Sequence, residues 1–295
     1  MKAPFPWFGG KSRAAELIWS RFGDVPNYVE PFAGSLAVLL SRPHDPRTET
    51  INDLDCYVAN FWRSIRHDTD VVAAWADSPV NECDLLARHR WLVAQTGFQE
   101  RMKADPDYHD AKIAGWWVWG LCSWIGSGWC VQRRNGDQPQ QIPHLGDAGR
   151  GINRKLPHLG DAGRGAMILA CFTELSDRLR DVRVACGDWS RVTGDSVTIK
   201  HGTTAVLLDP PYGDDEHDVQ YSARSNGVAA AAREWAIANG GNPLLRIALC
   251  GYEGEHVMPP TWDCVSWKAR GGYGSQSDGR GRDNAARERI WFSPA

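Results

Sequence analysis

The stretch Ala205-Val206-Leu207-Leu208-Asp209-Pro210-Pro211-Tyr212 decides the reading of this chain. Its four apolar residues are continuous rather than alternating, as expected of a parallel strand buried on both faces. An acid ends the strand, and open α/β sheets bind ligands beyond the carboxyl ends of their strands. Two prolines then remove two backbone donors and stiffen the turn. The carbonyl of Pro210 is left as an acceptor. Asp209 and that carbonyl can take the two N–H bonds of an exocyclic amine, while Tyr212 offers a face on which its ring can stack. Held so, the nitrogen lone pair is less delocalised and becomes a better nucleophile. The plainer alternative is a strand-ending turn with an Asp cap.

Other segments repeat the strand theme. Asn27 to Phe32, Thr50-Ile51, Val182 to Cys186, Leu244 to Cys250, Asp263 to Trp267 and Arg289 to Phe292 read as strands. Residues 11–22, 56–67 and 228–238 carry helical patterns, and Leu36 to Leu40 reads as an apolar helix start. Strands alternating with helices indicate an α/β fold with a largely parallel sheet. Residues 70–119 read instead as helices rich in Trp and Ala. Residues 120–165 are rich in Gly, Arg and Gln, and PHLGDAGRG occurs there twice, at 143–151 and 157–165. Two copies are too few for a solenoid. The expected organisation is a sheet domain from 1–69 and 181–295, with 70–180 inserted.

The chain has 295 residues, a formal net charge of −3, 42% hydrophobic and 23% charged residues, which excludes wholesale disorder. No run of about 18 apolar residues indicates a transmembrane helix, and Met1 to Gly10 has no apolar signal core. The total charge hides segregation. Residues 131–165 hold Arg133, Arg134, Arg150, Arg154, Lys155 and Arg164 against three acids. Residues 265–291 hold six basic against three acidic residues, and 209–218 hold five acids and no Lys or Arg. A nucleic-acid binder needs only one basic face. The eight cysteines form no CxxC pair, so a zinc knuckle is not expected, and reduced thiols fit several of their apolar settings. Five of the 15 tryptophans fall in residues 116–129, read as helix core rather than a stacking platform.

Four further motifs lie at strand ends or turns. Tyr28-Val29-Glu30-Pro31-Phe32-Ala33-Gly34-Ser35 puts an acid at a strand end and a tight turn after it, expected to lead into a helix whose N-terminus attracts an anionic group. It is not GxGxxG, so a dinucleotide site is a poor fit. Asn52-Asp53-Leu54-Asp55 places an acid where ribose hydroxyls are commonly held, or where a helix is capped. Gly187-Asp188-Trp189 repeats the strand-end acid. Trp7-Phe8-Gly9-Gly10-Lys11 is a flexible turn that delivers one cation.

In this order, these motifs resemble the DNA adenine-N6 methyltransferases of the DNA adenine methylase family. WFGGK resembles the N-terminal cofactor motif, YVEPFAGS the turn that binds S-adenosyl-L-methionine (AdoMet), NDLD the ribose-binding acid, GDW the acid at the cofactor adenine, and DPPY the catalytic motif. The resemblance is good over roughly 1–67 and 182–225. The chain departs from the family turn at Ser35-Leu36, where more glycine is usual.

The resemblance implies a Rossmann-like AdoMet-dependent fold with an inserted target-recognition region at 70–180. It implies methyl transfer to N6 of a flipped-out adenine in double-stranded DNA, with Asp209, Pro210, Pro211 and Tyr212 catalytic. Trp7, Gly10, Lys11, Glu30, Pro31, Phe32, Ala33, Gly34, Ser35, Asp53, Asp188 and Asp209 would hold AdoMet. No metal and no membrane are implied, and a cytoplasmic enzyme of a bacterial or phage-infected cell is expected. Arg133, Arg134, Arg150, Arg154, Lys155 and Arg164 are candidates for DNA contacts, or else form a solvated loop. The competing functions are transfer to cytosine N4 or to RNA, and a non-catalytic DNA-binding regulator of the same fold.

Overall fold

A computed structural model describes residues 1–7, 9–105, 107–124, 129–130, 164–211, 227–267 and 287–295. The chain divides into two compact units. One comprises 1–3, 7–54 and 181–295, and the other 4–6 and 55–180.

The first unit is built on a sheet with β1 (Asn27–Glu30), β2 (Thr48–Asp53), β3 (Arg183–Cys186), β4 (Thr204–Leu208), β5 (Leu245–Tyr252), β6 (Asp263–Ser266) and β7 (Glu288–Phe292). Their order is β3-β2-β1-β4-β5-β7-β6. The first five are mutually parallel, and β7 runs antiparallel between β5 and β6. All residues of β1 and β4 are buried, which explains their lack of alternation. Val29, Val206, Leu208, Ile247, Leu249 and Trp291 join one core cluster with Ala232 and Ala236 of a helix at Val228–Asn239. The strand order reverses between β1 and β4, so the ends of these two strands border the crevice where such sheets take ligands.

A first helix, α1 (Ala15–Phe22), begins four residues later than the pattern at 11–22. Lys11 is thereby left outside the helix. Gly23 ends it at φ 61°, a conformation that glycine adopts without steric penalty.

The segment after β1 corrects one expectation. Leu36 to Leu40 does not open an α-helix; turns lead to a 3-10 helix at Leu39–Ser41. Leu36 sits at φ 56° and is fully buried. It adopts the left-handed conformation without being glycine. All five residues from Leu36 to Leu40 are buried, so no solvated face favours an amphipathic helix, and Pro43 stops further extension.

The second unit is helical: α2 (Cys56–His67), α3 (Thr69–Ala76), α4 (Glu82–Val93), α5 (Phe98–Ala104), α6 (Ala111–Ser123) and α7 (Arg164–Leu179), with the helix at Val228–Asn239 becoming α8. Asp55 caps α2 by accepting from Tyr57 N at 2.8 Å. The N-cap alternative for this motif thus falls on Asp55, not Asp53. In this division α2 belongs to the helical unit, where it packs on α6 and α7. Trp117, Trp119, Trp124 and Trp129 are buried and Trp116 half-buried, so the Trp-rich run is core.

Candidate active site

Asp209 follows directly on β4. Its carboxylate receives the Lys11 ammonium at 2.8 Å. Lys11 is 2% exposed and also donates to Gly9 O at 2.7 Å. Glu288, the first residue of β7, lies 3.9 Å from the same ammonium, and the Trp267 ring stands 5.6 Å away. Burial acts to lower the Lys11 pKa, but Asp209, with Cys250 and Glu288, acts against it and the group ends above its ordinary value. Lys11 therefore stays cationic and holds the Asp209 side chain in place. Local sequence patterns give no hint of this pairing, because 198 positions separate the two residues. Pro210 is buried and Pro211 half-buried, while Tyr212 lies outside the described residues.

Glu30 ends β1 and is almost wholly buried. Tyr28 Oη donates to its Oε2 at 3.0 Å. Burial raises the Glu30 carboxyl, the Tyr28 hydrogen bond opposes, and nearby Asp209 adds to the rise, leaving it at about 8. Glu30 is thus protonated near neutrality.

Beside β1, the loop 31–34 is bound to the end of β2. Ala33 N donates to Asn52 O at 2.9 Å and Gly34 N to Asp53 Oδ2 at 2.9 Å. Gly34 has φ 46°, and a Cβ there would lie 2.4 Å from Trp7 Nε1. The loop therefore needs glycine for both conformation and space. Gly10 N donates to Trp7 O at 3.2 Å, closing the N-terminal turn. Ser35 is buried.

On the other side of β2, Gly187 N donates to Asp53 O at 3.0 Å. Asp188 is exposed and accepts from Ser190 N at 3.0 Å and Ser190 Oγ at 2.5 Å, which hold its carboxyl below the usual range. Phe32 stacks on Trp189 with centroids 5.9 Å apart. The ends of β1, β2, β3 and β4 thus gather Glu30, the 31–34 loop, Asp53, Asp188 and Asp209 into one unit. Asn52 and Glu288 also sit among them; Asn52 belongs to the NDLD motif but only its acids were given a role, and Glu288 lies in no motif.

Arg133, Arg134, Arg150, Arg154, Lys155 and the first PHLGDAGRG copy lie outside the described residues. Arg164 opens α7, and nothing is described of its side chain. Among the described residues, no cluster of His, Cys, Asp or Glu is placed to hold a metal ion. None of the described helices is long and apolar enough to cross a membrane.

A seven-stranded, mostly parallel sheet of this order is consistent with a Rossmann-like methyltransferase fold. Residues 7–82 match the family model of the D12 class N6 adenine-specific DNA methyltransferases. That match takes in the N-terminal turn and the ends of β1 and β2, and it supports the DNA adenine methylase family. The chain is also 29% identical over 101 residues to the RNA1 polyprotein of Broad bean wilt virus 1. This similarity covers 34% of the chain and only 5% of the polyprotein.

Proposed function

We propose that the protein transfers a methyl group from AdoMet to N6 of a flipped-out adenine in double-stranded DNA. The observation that carries this reading is the Lys11–Asp209 ion pair at the strand-order reversal, next to the strand-end acids. The site's make-up suits AdoMet. The tight approach of Trp7 to Gly34 makes a cradle that a side chain would fill. Asp53 and Asp188 supply carboxylates for ribose and adenine, and the Phe32–Trp189 pair supplies an apolar face. Glu30 and Ser35 line the same loop. AdoMet, when bound, supplies an already activated methyl group on a sulfonium.

The protein's task is then positioning. Asp209, fixed by Lys11, accepts one N–H of the adenine amine. The Pro210 carbonyl accepts the other, and Tyr212 stacks on the ring. AdoMet would supply the methyl group and leave as its neutral thioether, and the proton released from the amine would pass by way of Asp209 to solvent. Flipping costs a few kcal/mol of unstacking, and stacking returns about 1–3 kcal/mol. The helical unit with residues 131–163 is the proposed target reader. Its arginines are suited to phosphates or guanine edges.

The test is nucleoside mass spectrometry of unmethylated DNA incubated with protein and AdoMet. N6-methyladenine should appear, and should vanish with Asp209→Ala. N4-methylcytosine, methylated RNA alone, or no product despite AdoMet binding would overturn the reading.

A further inference from the structure

The end of β2 is fastened on both sides by one amide. Asn52 is 1% exposed. Its Nδ2 donates to Pro31 O at 3.0 Å and to Gly187 O at 3.0 Å. An amide nitrogen carries two N–H bonds, and both are used here. The two carbonyls belong to different loops, one after β1 and one after β3, on opposite sides of β2. Pairing of Asn52 with Ala185 and Asp53 with Cys186 brings Gly187 alongside. The first loop carries Phe32 and Gly34, and the second carries Asp188 and Trp189.

We propose that Asn52 is a positioning residue that locks the β1 and β3 loops into a single preformed surface for AdoMet. This rests on the methyltransferase reading. Asn52 acts through the loops rather than on the reacting atoms: its side chain hydrogen-bonds to the backbone of the loops that would hold the cofactor. Loss of its donors leaves two buried carbonyls without their partner, which is costly in itself. It also frees both loops, and the cost of ordering them then falls on cofactor binding. Aspartate is the sharpest substitute, because it keeps the shape but sets carboxylate oxygen against two carbonyl oxygens. Backbone bonds from Ala33 to Asn52 and from Gly187 to Asp53 remain, so the sheet itself is spared.

The experiment compares the full chain with Asn52→Asp, Asn52→Ala and Asn52→Ser, the last keeping one donor. Hydrogen exchange without AdoMet reads the loops directly. Amides of 32–35 and 187–190 should exchange faster together, while those of β4 and β5 stay protected. Calorimetry should give an AdoMet Kd raised about tenfold or more, the equivalent of about 1.4 kcal/mol. At saturating AdoMet, kcat should stay within about threefold of the wild type, the sign of lost uniform binding rather than lost chemistry. A lowered kcat at unchanged KM would overturn the proposal. So would faster exchange spread evenly over the sheet, or confined to one loop. If the wild type binds no AdoMet, the methyltransferase reading falls, and the exchange comparison alone then decides the coupling of the loops.

Discussion

Both units bury aromatic rings, but they differ in the ionisable groups they bury. Among the described residues, the sheet unit buries Lys11, Glu30, Glu49, His256 and Glu288, together with Asn27 and Asn52. The helical unit buries rings. Phe5 meets Phe61 at 5.4 Å and Trp117 at 5.0 Å, and Phe61 meets Phe172 at 5.6 Å. Its one buried ionisable group among the described residues outside tyrosine and cysteine is His89, which stacks on Trp124. Aromatic burial is favourable without further conditions. A buried charge is favourable only when paired and hydrogen-bonded. The sheet unit therefore carries buried ionisable groups that depend on partners, an arrangement the proposed chemistry would use. The helical unit shows no such concession among its described residues.

Substitution of Lys11 should break this contrast most severely. Lys11→Met leaves Asp209 and Glu288 without their cation. Removing one partner of a buried pair costs about 3–5 kcal/mol, less here because Asp209 is partly exposed. Methyl transfer should fall further than stability explains. A Lys11→Met protein with unchanged Tm and turnover would remove the distinction between the units.

Trp119→Ala tests the other side. Trp119 is fully buried, and its Nε1 donates to Ser78 O at 2.9 Å. Truncation should cost about 3–5 kcal/mol. AdoMet affinity should not move, as calorimetry on the still-folded protein would check. A matched loss of affinity would tie the aromatic core to the cofactor site.

Glu30→Gln sharpens the comparison through pH. The folded Glu30 carboxyl is raised from 4.5 to about 8. Between those values the folded protein keeps a proton that the unfolded chain releases, so this group's contribution to stability falls as pH rises through that window. Glu30→Gln should flatten the decline in urea midpoint from pH 5 to pH 8.5. Parallel curves for the two proteins would show that Glu30 does not titrate there.

The smallest effect belongs to an exposed pair. Arg47 meets Asp24 at 2.9 Å with both side chains about half exposed. Arg47→Ala should change stability by less than about 1 kcal/mol in chemical denaturation. A larger loss would mean that surface charge matters as much as buried charge in this unit.

The strands were legible because buried parallel strands are continuous apolar runs ended by acids, as at Val206 to Asp209. Helices α2 and α8 were legible from their period. Leu36 to Leu40 misled because an apolar run buried on every side has no period, and a left-handed Leu36 leaves no mark in composition. The separate acids of the candidate site could be read one by one. Their cross-links could not. Lys11 meets Asp209 and Glu288 only through sheet order, and Asn52 reaches Gly187 only because β2 lies beside β3. Local patterns locate strand ends, whereas topology decides which of them meet.

The most direct measurement is single-turnover transfer of a labelled methyl group to unmethylated DNA by the wild type and Asp209→Asn. AdoMet is held at a concentration that saturates both proteins, as shown by calorimetry. Asparagine keeps the size of the side chain but replaces one acceptor oxygen with a donor and removes the charge that Lys11 pairs. The account predicts a transfer rate lower by about a hundredfold or more, in the range of a lost transition-state contact, with AdoMet affinity within a few-fold of the wild type. Equal transfer rates in the two proteins would contradict it.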